Sequence, residues 1–164
     1  HEITLFPYTT LFRSNRGLFF DENKEKAAKE IRKIKDLLNL ANKKIVLKVI
    51  LEVGELQTYN NIMEASTLCL ENGADFIKTS TGKIEKGADI YSSTVMLLAL
   101  REYYRKNNVL KGLKVAGGIR KIEEAVEFMN LYKYFITSNF DNNSFRIGCS
   151  QLFDKIKEEL LKNN

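Results

Sequence analysis

The chain has no tryptophan, one proline, one histidine and two cysteines among its 164 residues. Each shortage excludes something. Cys69 and Cys149 are single and far apart, with no CxxC pair. A disulfide framework is therefore excluded, and free thiols in a reducing cytosol are expected. The sole histidine, His1, and the sole proline, Pro7, both sit at the extreme N-terminus. The body of the chain has no imidazole to build a serine–histidine or cysteine–histidine nucleophile. Histidine and cysteine also do not cluster at metal-ligand spacing, so no metal site is expected. No run approaches the roughly 18 apolar residues of a membrane span. The start lacks the charged segment, apolar stretch and small-residue cleavage site of a secretory signal. These features lead to the expectation of a cytoplasmic protein with no membrane partner.

What is present is ordinary for a folded domain: 44% hydrophobic and 29% charged residues. Lys+Arg exceed Asp+Glu by 26 to 21. The basic residues are interleaved with acidic ones in stretches such as NKEKAAKEIRKIKD, as on a solvated helix surface. No basic stripe alternates with aromatics, and no nucleic-acid partner is expected. The positive balance is compatible with a small phosphorylated metabolite.

The segment LFPYTTLFRS, residues 5–14, stands apart. It can be written in codons that reproduce a widely used short-read sequencing adapter. Residues 1–14 are accordingly expected to be non-native and are set aside from fold reasoning. Authentic sequence is expected to begin near Asn15, so residues 15–164 form one domain.

The domain reads as a helix followed by four strand–helix units. Residues 21–40 place Ala27, Ala28, Ile31, Ile34, Leu37 and Leu38 at helical spacing. KIVLKVILEV at 44–53 is an unbroken apolar run, as in a parallel strand buried on both faces, and Gly54 ends it. Helices are predicted over 60–72, 89–107, 121–132 and 150–161, and further strands in ADFIKTSTG, LKVAGG and FRIGCS. YFITSNF at 134–140 is either the end of a connection or a short extra strand. Lys48, Lys78 and Lys114 recur 30 and 36 residues apart, a spacing that suits successive βα units of about 30 residues. Four such units are half of an eight-stranded barrel. An open doubly wound sheet has the same pattern.

A lysine inside a buried strand is costly unless it is paired, neutral or functional. Three successive strands each carry one. In a barrel, the C-terminal ends of neighbouring strands share one site. Burial and a neighbouring ammonium both lower a lysine's pKa. A neutral lysine amine can attack a carbonyl to form a Schiff base, which then serves as an electron sink. Gly82, Gly117, Gly118 and Gly148 lie in the turns after these strands, where backbone N–H groups can cradle a phosphate. Such glycines also occur in ordinary strand-to-helix turns.

Four blocks, LKVILEVGEL at 47–56, DFIKTSTGK at 75–83, KVAGGIR at 114–120 and RIGCS at 146–150, resemble consecutive blocks of the deoxyribose-phosphate aldolase family, in its order and spacing. The resemblance covers nearly all of residues 15–164. It implies a (β/α)8 TIM barrel, here as a C-terminal half-barrel of about four βα units. It also implies a class I aldolase, a carbon–carbon lyase of deoxyribonucleotide catabolism. Such an enzyme reversibly cleaves 2-deoxy-D-ribose 5-phosphate to acetaldehyde and D-glyceraldehyde 3-phosphate without a cofactor. By position, Lys78 matches the Schiff-base lysine, Lys114 the lysine that perturbs it and assists proton movement, and Lys48 the strand lysine in its charge network. Gly82, Lys83, Gly117, Gly118, Gly148 and Ser150 are the candidate phosphate-binding positions.

Two departures matter. Family members often carry a second serine after the position of Ser150, where this chain has Gln151. The family's first four βα units, with a catalytic aspartate, have no counterpart here. A fragment of a longer gene is the expectation, inactive or nearly so by itself. Its open strand edges dispose it to aggregation or homodimerisation. The alternative is a non-catalytic sugar-phosphate binding or regulatory module, which the retained lysine pair disfavours.

Overall fold

The computed structural model describes residues 9–13, 24–41, 45–149 and 152–162, with side chains described from residue 24 onward. In chain order the elements are β1 (Thr9–Arg13), α1 (Lys24–Leu40), β2 (Val46–Ile50), a short 3-10 turn (Val53–Glu55) and α2 (Tyr59–Glu71). They continue with β3 (Phe76–Lys78), α3 (Ile90–Asn107), β4 (Gly112–Ala116), α4 (Ile122–Phe135), β5 (Phe145–Gly148) and α5 (Leu152–Lys162). The five strands form one wholly parallel sheet in the order β1-β2-β3-β4-β5. A doubly wound sheet reverses its strand order part-way, whereas a βα barrel adds each strand beside the last. The unbroken sequential order therefore selects barrel-type winding over the open alternative.

Alternation along the strands gives the sheet two chemically different faces. Leu47, Val49, Leu51, Ile77, Leu113 and Val115 are almost fully buried and belong to the same core as Ile31, Ile62, Cys69, Met96, Leu100 and Phe128 of the helices. Each such side chain contributes about 1.5–3 kcal/mol on burial. The alternate positions carry Lys48, Ile50, Phe76, Lys78, Gly112, Lys114, Ala116, Arg146 and Gly148. One face thus holds the helices and the other holds the cations.

Local chemistry starts the helices close to where the sequence suggests. The Thr58 hydroxyl accepts from Asn61 N at 3.1 Å at the start of α2, and Asp89 accepts from Ser92 N at 2.8 Å at the start of α3. Asn108, with φ of 53°, ends α3. The Glu124 carboxylate reaches back to Arg120 N and Lys121 N at the start of α4. That helix runs three residues beyond the expected boundary, so Tyr134 and Phe135 are helical and no strand forms at 134–140. Tyr132, Phe140 and Phe145 pack instead as a ring cluster, with centroids 4.8–5.5 Å apart.

Thr9–Arg13, inside the segment set aside above, pairs in parallel with β2 along the sheet edge. This pairing concerns conformation and leaves the origin of those residues where the codon resemblance put it. At the N-terminal end of the sheet, Asp75 accepts from Lys35 Nζ at 2.6 Å, Lys111 Nζ at 3.2 Å and Leu47 N at 2.9 Å. One carboxylate thereby ties α1, β2 and the entry to β4 together. Among the described residues no helix is long and apolar enough to cross a membrane.

Candidate active site

Strand register decides which lysines meet. Ile50 pairs with Lys78, Lys78 with Lys114, and Lys114 with Arg146. Lys78, Lys114 and Arg146 therefore form one row across three strands. Lys48 pairs with Phe76 and lies one layer deeper along the strands. The Lys48 ammonium stands 5.6 Å from the Phe76 ring centroid and the Arg146 guanidinium 4.5 Å. Gly112 makes room for that ring, because a Cβ there would come within 2.3 Å of it.

A cavity of about 350 Å3 opens at the C-terminal ends of these strands. Lys78 and Lys114 line it, together with Gly82, Gly117, Gly118 and Gly148. Thr81, Arg120 and Cys149 complete its polar lining. Its walls are fixed by short side-chain links between β3 and β4. Thr79 Oγ1 accepts from Ala116 N at 2.9 Å and donates to Ala116 O at 3.0 Å, and Ser80 Oγ donates to the same carbonyl at 2.5 Å. Gly117, with φ of 95°, is obligatory: a Cβ would sit 2.5 Å from Ser80 Oγ. Exposed backbone at such a turn can present N–H groups to an anion.

Burial shifts all three lysines in the same direction, and repulsion from neighbouring cations adds to it at Lys48 and Lys114. Burial, reinforced by the charges of Lys114, Arg146 and Lys78, lowers Lys48 from 10.5 to about 7. Lys114 is lowered by burial first and then by Lys78 and Arg146, with Cys149 opposing. Lys78 is lowered by burial, with Glu52 opposing. Facing ammonium groups titrate as a pair. The pair sheds its first proton below the ordinary lysine range, and whichever amine is exposed to a carbonyl can use that vacancy.

Of the residues marked from sequence, Lys78, Lys114, Gly82, Gly117, Gly118 and Gly148 converge on the cavity. Lys48 joins them electrostatically from the layer below. Lys83 is exposed and does not line the cavity. Ser150 and Gln151 lie outside the described residues. Sequence reasoning missed Arg146, Arg120, Thr81 and Glu52. Arg146 was visible inside the RIGCS block, and its row mates follow once β4 and β5 are set in register. Glu52 lies inside the LKVILEVGEL block in the same way, but nothing in the sequence pointed to its partner. It is fully buried and its carboxylate accepts from Thr81 N at 3.1 Å and from Thr81 Oγ1 at 2.7 Å. Among the described residues no group of three or more His, Cys, Asp or Glu side chains could hold a metal.

A family profile described as DeoC/LacD family aldolase matches residues 17–131, a span that contains Lys48, Lys78 and Lys114. The chain belongs to the DeoC/LacD aldolase family. Solved structures agree with this membership. The chain is 26% identical to a protein of Toxoplasma gondii ME49 provisionally named a deoxyribose-phosphate aldolase, with a TM-score of 0.78 over 92% of this chain. A Coccidioides immitis protein with the same provisional name matches at 24% identity and a TM-score of 0.70 over 91% of the chain. "QR15, an Aldolase" matches at 24% and 0.67. The last two likenesses bear on fold alone. This DeoC/LacD chain spans 59%, 51% and 60% of the length of these three proteins. Its sheet and helices therefore correspond to part of their α/β barrels.

Proposed function

We propose that this chain carries the Schiff-base portion of a class I aldolase that cleaves 2-deoxy-D-ribose 5-phosphate reversibly to acetaldehyde and D-glyceraldehyde 3-phosphate. The observation that carries the proposal is the direct pairing of Lys78 and Lys114 across β3 and β4, both lowered by burial, at the floor of a glycine-walled cavity. In this reading the neutral Lys78 amine adds to the substrate aldehyde carbon C1. Loss of water leaves an iminium. The C2–C3 bond then breaks, its electron pair moves toward the iminium nitrogen, and an enamine forms. The C3 hydroxyl gives up its proton, and C3 leaves as the aldehyde of D-glyceraldehyde 3-phosphate. Protonation of the enamine at C2 and hydrolysis release acetaldehyde and restore the amine. Lys114, the closest proton carrier along the ladder, is assigned to proton movement. The backbone of Gly82, Gly117, Gly118 and Gly148, with Arg120, is assigned to the phosphate.

Lys48 has the amine lowered furthest and is the rival nucleophile on that ground. Geometry favours Lys78. Lys48 is 3% exposed, lies against the Phe76 ring and does not line the cavity. The 164-residue chain is proposed to form the imine while turning over substrate at a negligible rate.

Reductive trapping tests the reading. With cyanoborohydride present, 2-deoxy-D-ribose 5-phosphate should add covalently at a concentration about tenfold or more below that needed for unphosphorylated 2-deoxyribose, the advantage of one charge-assisted phosphate contact. Reversible phosphate-ester binding with no covalent adduct would replace the aldolase reading with a sugar-phosphate binding module.

A further inference from the structure

Glu52 is an anomaly just beyond the end of β2. It follows the apolar run of β2, is fully buried, and has φ of 58° and ψ of 62°, the left-handed conformation. A residue with a side chain rarely adopts that conformation. The ladder to β3 shows why it occurs. Leu51 N donates to Lys78 O at 2.9 Å, and Val53 N donates to Thr79 O at 2.9 Å. A regular parallel ladder would advance two residues on each strand. Here β2 advances two while β3 advances one, so Glu52 is the extra residue of a bulge. Bulges of this kind gather next to active sites, where they re-aim side chains.

The carboxylate set by that bulge does two things. It accepts from the backbone N–H and the hydroxyl of Thr81, and Thr81 Oγ1 in turn accepts from Lys83 N at 3.2 Å. The chain of bonds closes across Gly82, a wall of the cavity with φ of 77°. The second effect is electrostatic. Lys78, Lys114, Lys48 and Arg146 crowd the same face of the sheet, and Glu52 is the carboxylate whose charge acts on Lys78.

We propose that Glu52 is a positioning residue of this site: its carboxylate fixes the 81–83 turn that walls the phosphate end of the cavity and supplies the negative charge that faces the Schiff-base lysine. This rests on the assignment of Lys78 as nucleophile. The opposing charge keeps Lys78 protonated until a higher pH than burial alone would, so imine formation turns on at a pH that Glu52 sets. The same turn links that charge to phosphate occupancy.

The test is the pH profile of acetaldehyde trapping by cyanoborohydride on the full 164-residue chain and on Glu52→Gln. Glutamine still accepts from Thr81 N and is nearly isosteric, so a purely structural role would leave the profile in place. The expected result is labelling at Lys78 with a midpoint at lower pH in Glu52→Gln. The phosphorylated sugar should also lose several-fold of its trapping advantage, because the amide holds the turn less firmly. Labelling at Lys78 with the midpoint unchanged overturns the role of Glu52 and leaves the Lys78 assignment standing. Failure of both proteins to label at Lys78 overturns the assignment itself and this proposal with it. If Glu52→Gln does not fold, the carboxyl carbon of Glu52 in the unsubstituted chain serves instead. Its NMR shift should step at the midpoint of Lys78 labelling and lose that step in Lys78→Leu; a flat response overturns the proposal.

Discussion

Replacing Lys48 by methionine should stabilise the protein at neutral pH. Lys48 is 3% exposed and is lowered from 10.5 to about 7, by burial first and then by three neighbouring cations. The unfolded chain holds the proton up to its ordinary value, so between about pH 7 and 10.5 the unfolded state binds more protons than the folded state. Stability therefore rises with pH across that window, and the cost is fully present below it. At 1.36 kcal/mol per unit, the cost at pH 7 is up to about 4 kcal/mol, and water penetration and relaxation reduce it to about 2–4 kcal/mol. Methionine has a similar length, no charge, and packs against Phe76. Lys48→Met should therefore gain about 2–4 kcal/mol at pH 7, with the gain shrinking steadily toward pH 10. Urea unfolding followed by circular dichroism at several pH values, with matched m-values, reads this directly. Equal or lower stability of the variant at pH 7, with the slope of stability against pH unchanged, would refute the charge-crowding account of this layer.

Asp75→Asn should cost about 2–3 kcal/mol at neutral pH, because two lysines and one backbone N–H lose a charged acceptor. Burial works against the Asp75 carboxylate, but the Lys35 and Leu47 hydrogen bonds and the nearby lysine charges outweigh it and hold its pKa down. The contribution is thus present above about pH 4 and lost as pH falls through the lowered value, so the two proteins should converge in strong acid. Gly112→Ala should cost about 1–3 kcal/mol in urea unfolding by driving a Cβ into the Phe76 ring. Adding Phe76→Leu should return part of that loss; no recovery would mean that the strain lies elsewhere.

Much of the fold was legible because βα units impose a period. The lysines at 48, 78 and 114 mark three successive strands, and all three strands formed where the apolar runs lie. That spacing hid one fact. Register sets Lys78 opposite Lys114 but puts Lys48 a layer lower, since Ile50 is the partner of Lys78. Spacing counts loop residues as well as strand residues and cannot fix a register. The stretch at 134–140 has strand-forming residues, yet burial of Tyr132 and the packing of its ring with Phe140 and Phe145 favour a longer helix and a turn. Glu52 was illegible for a different reason. A glutamate near the end of an apolar run gives no sign of its partner, and only the bulge against β3 and the approach of Thr81 reveal it as buried and engaged.

The central claim is that Lys78, rather than Lys48 or Lys114, is the amine that meets the carbonyl. Peptide mapping after acetaldehyde and cyanoborohydride treatment tests it most directly. The account predicts one ethyl group on Lys78, absent in Lys78→Leu and retained in Lys48→Met. Labelling that survives Lys78→Leu, or that resides on Lys48, would contradict it.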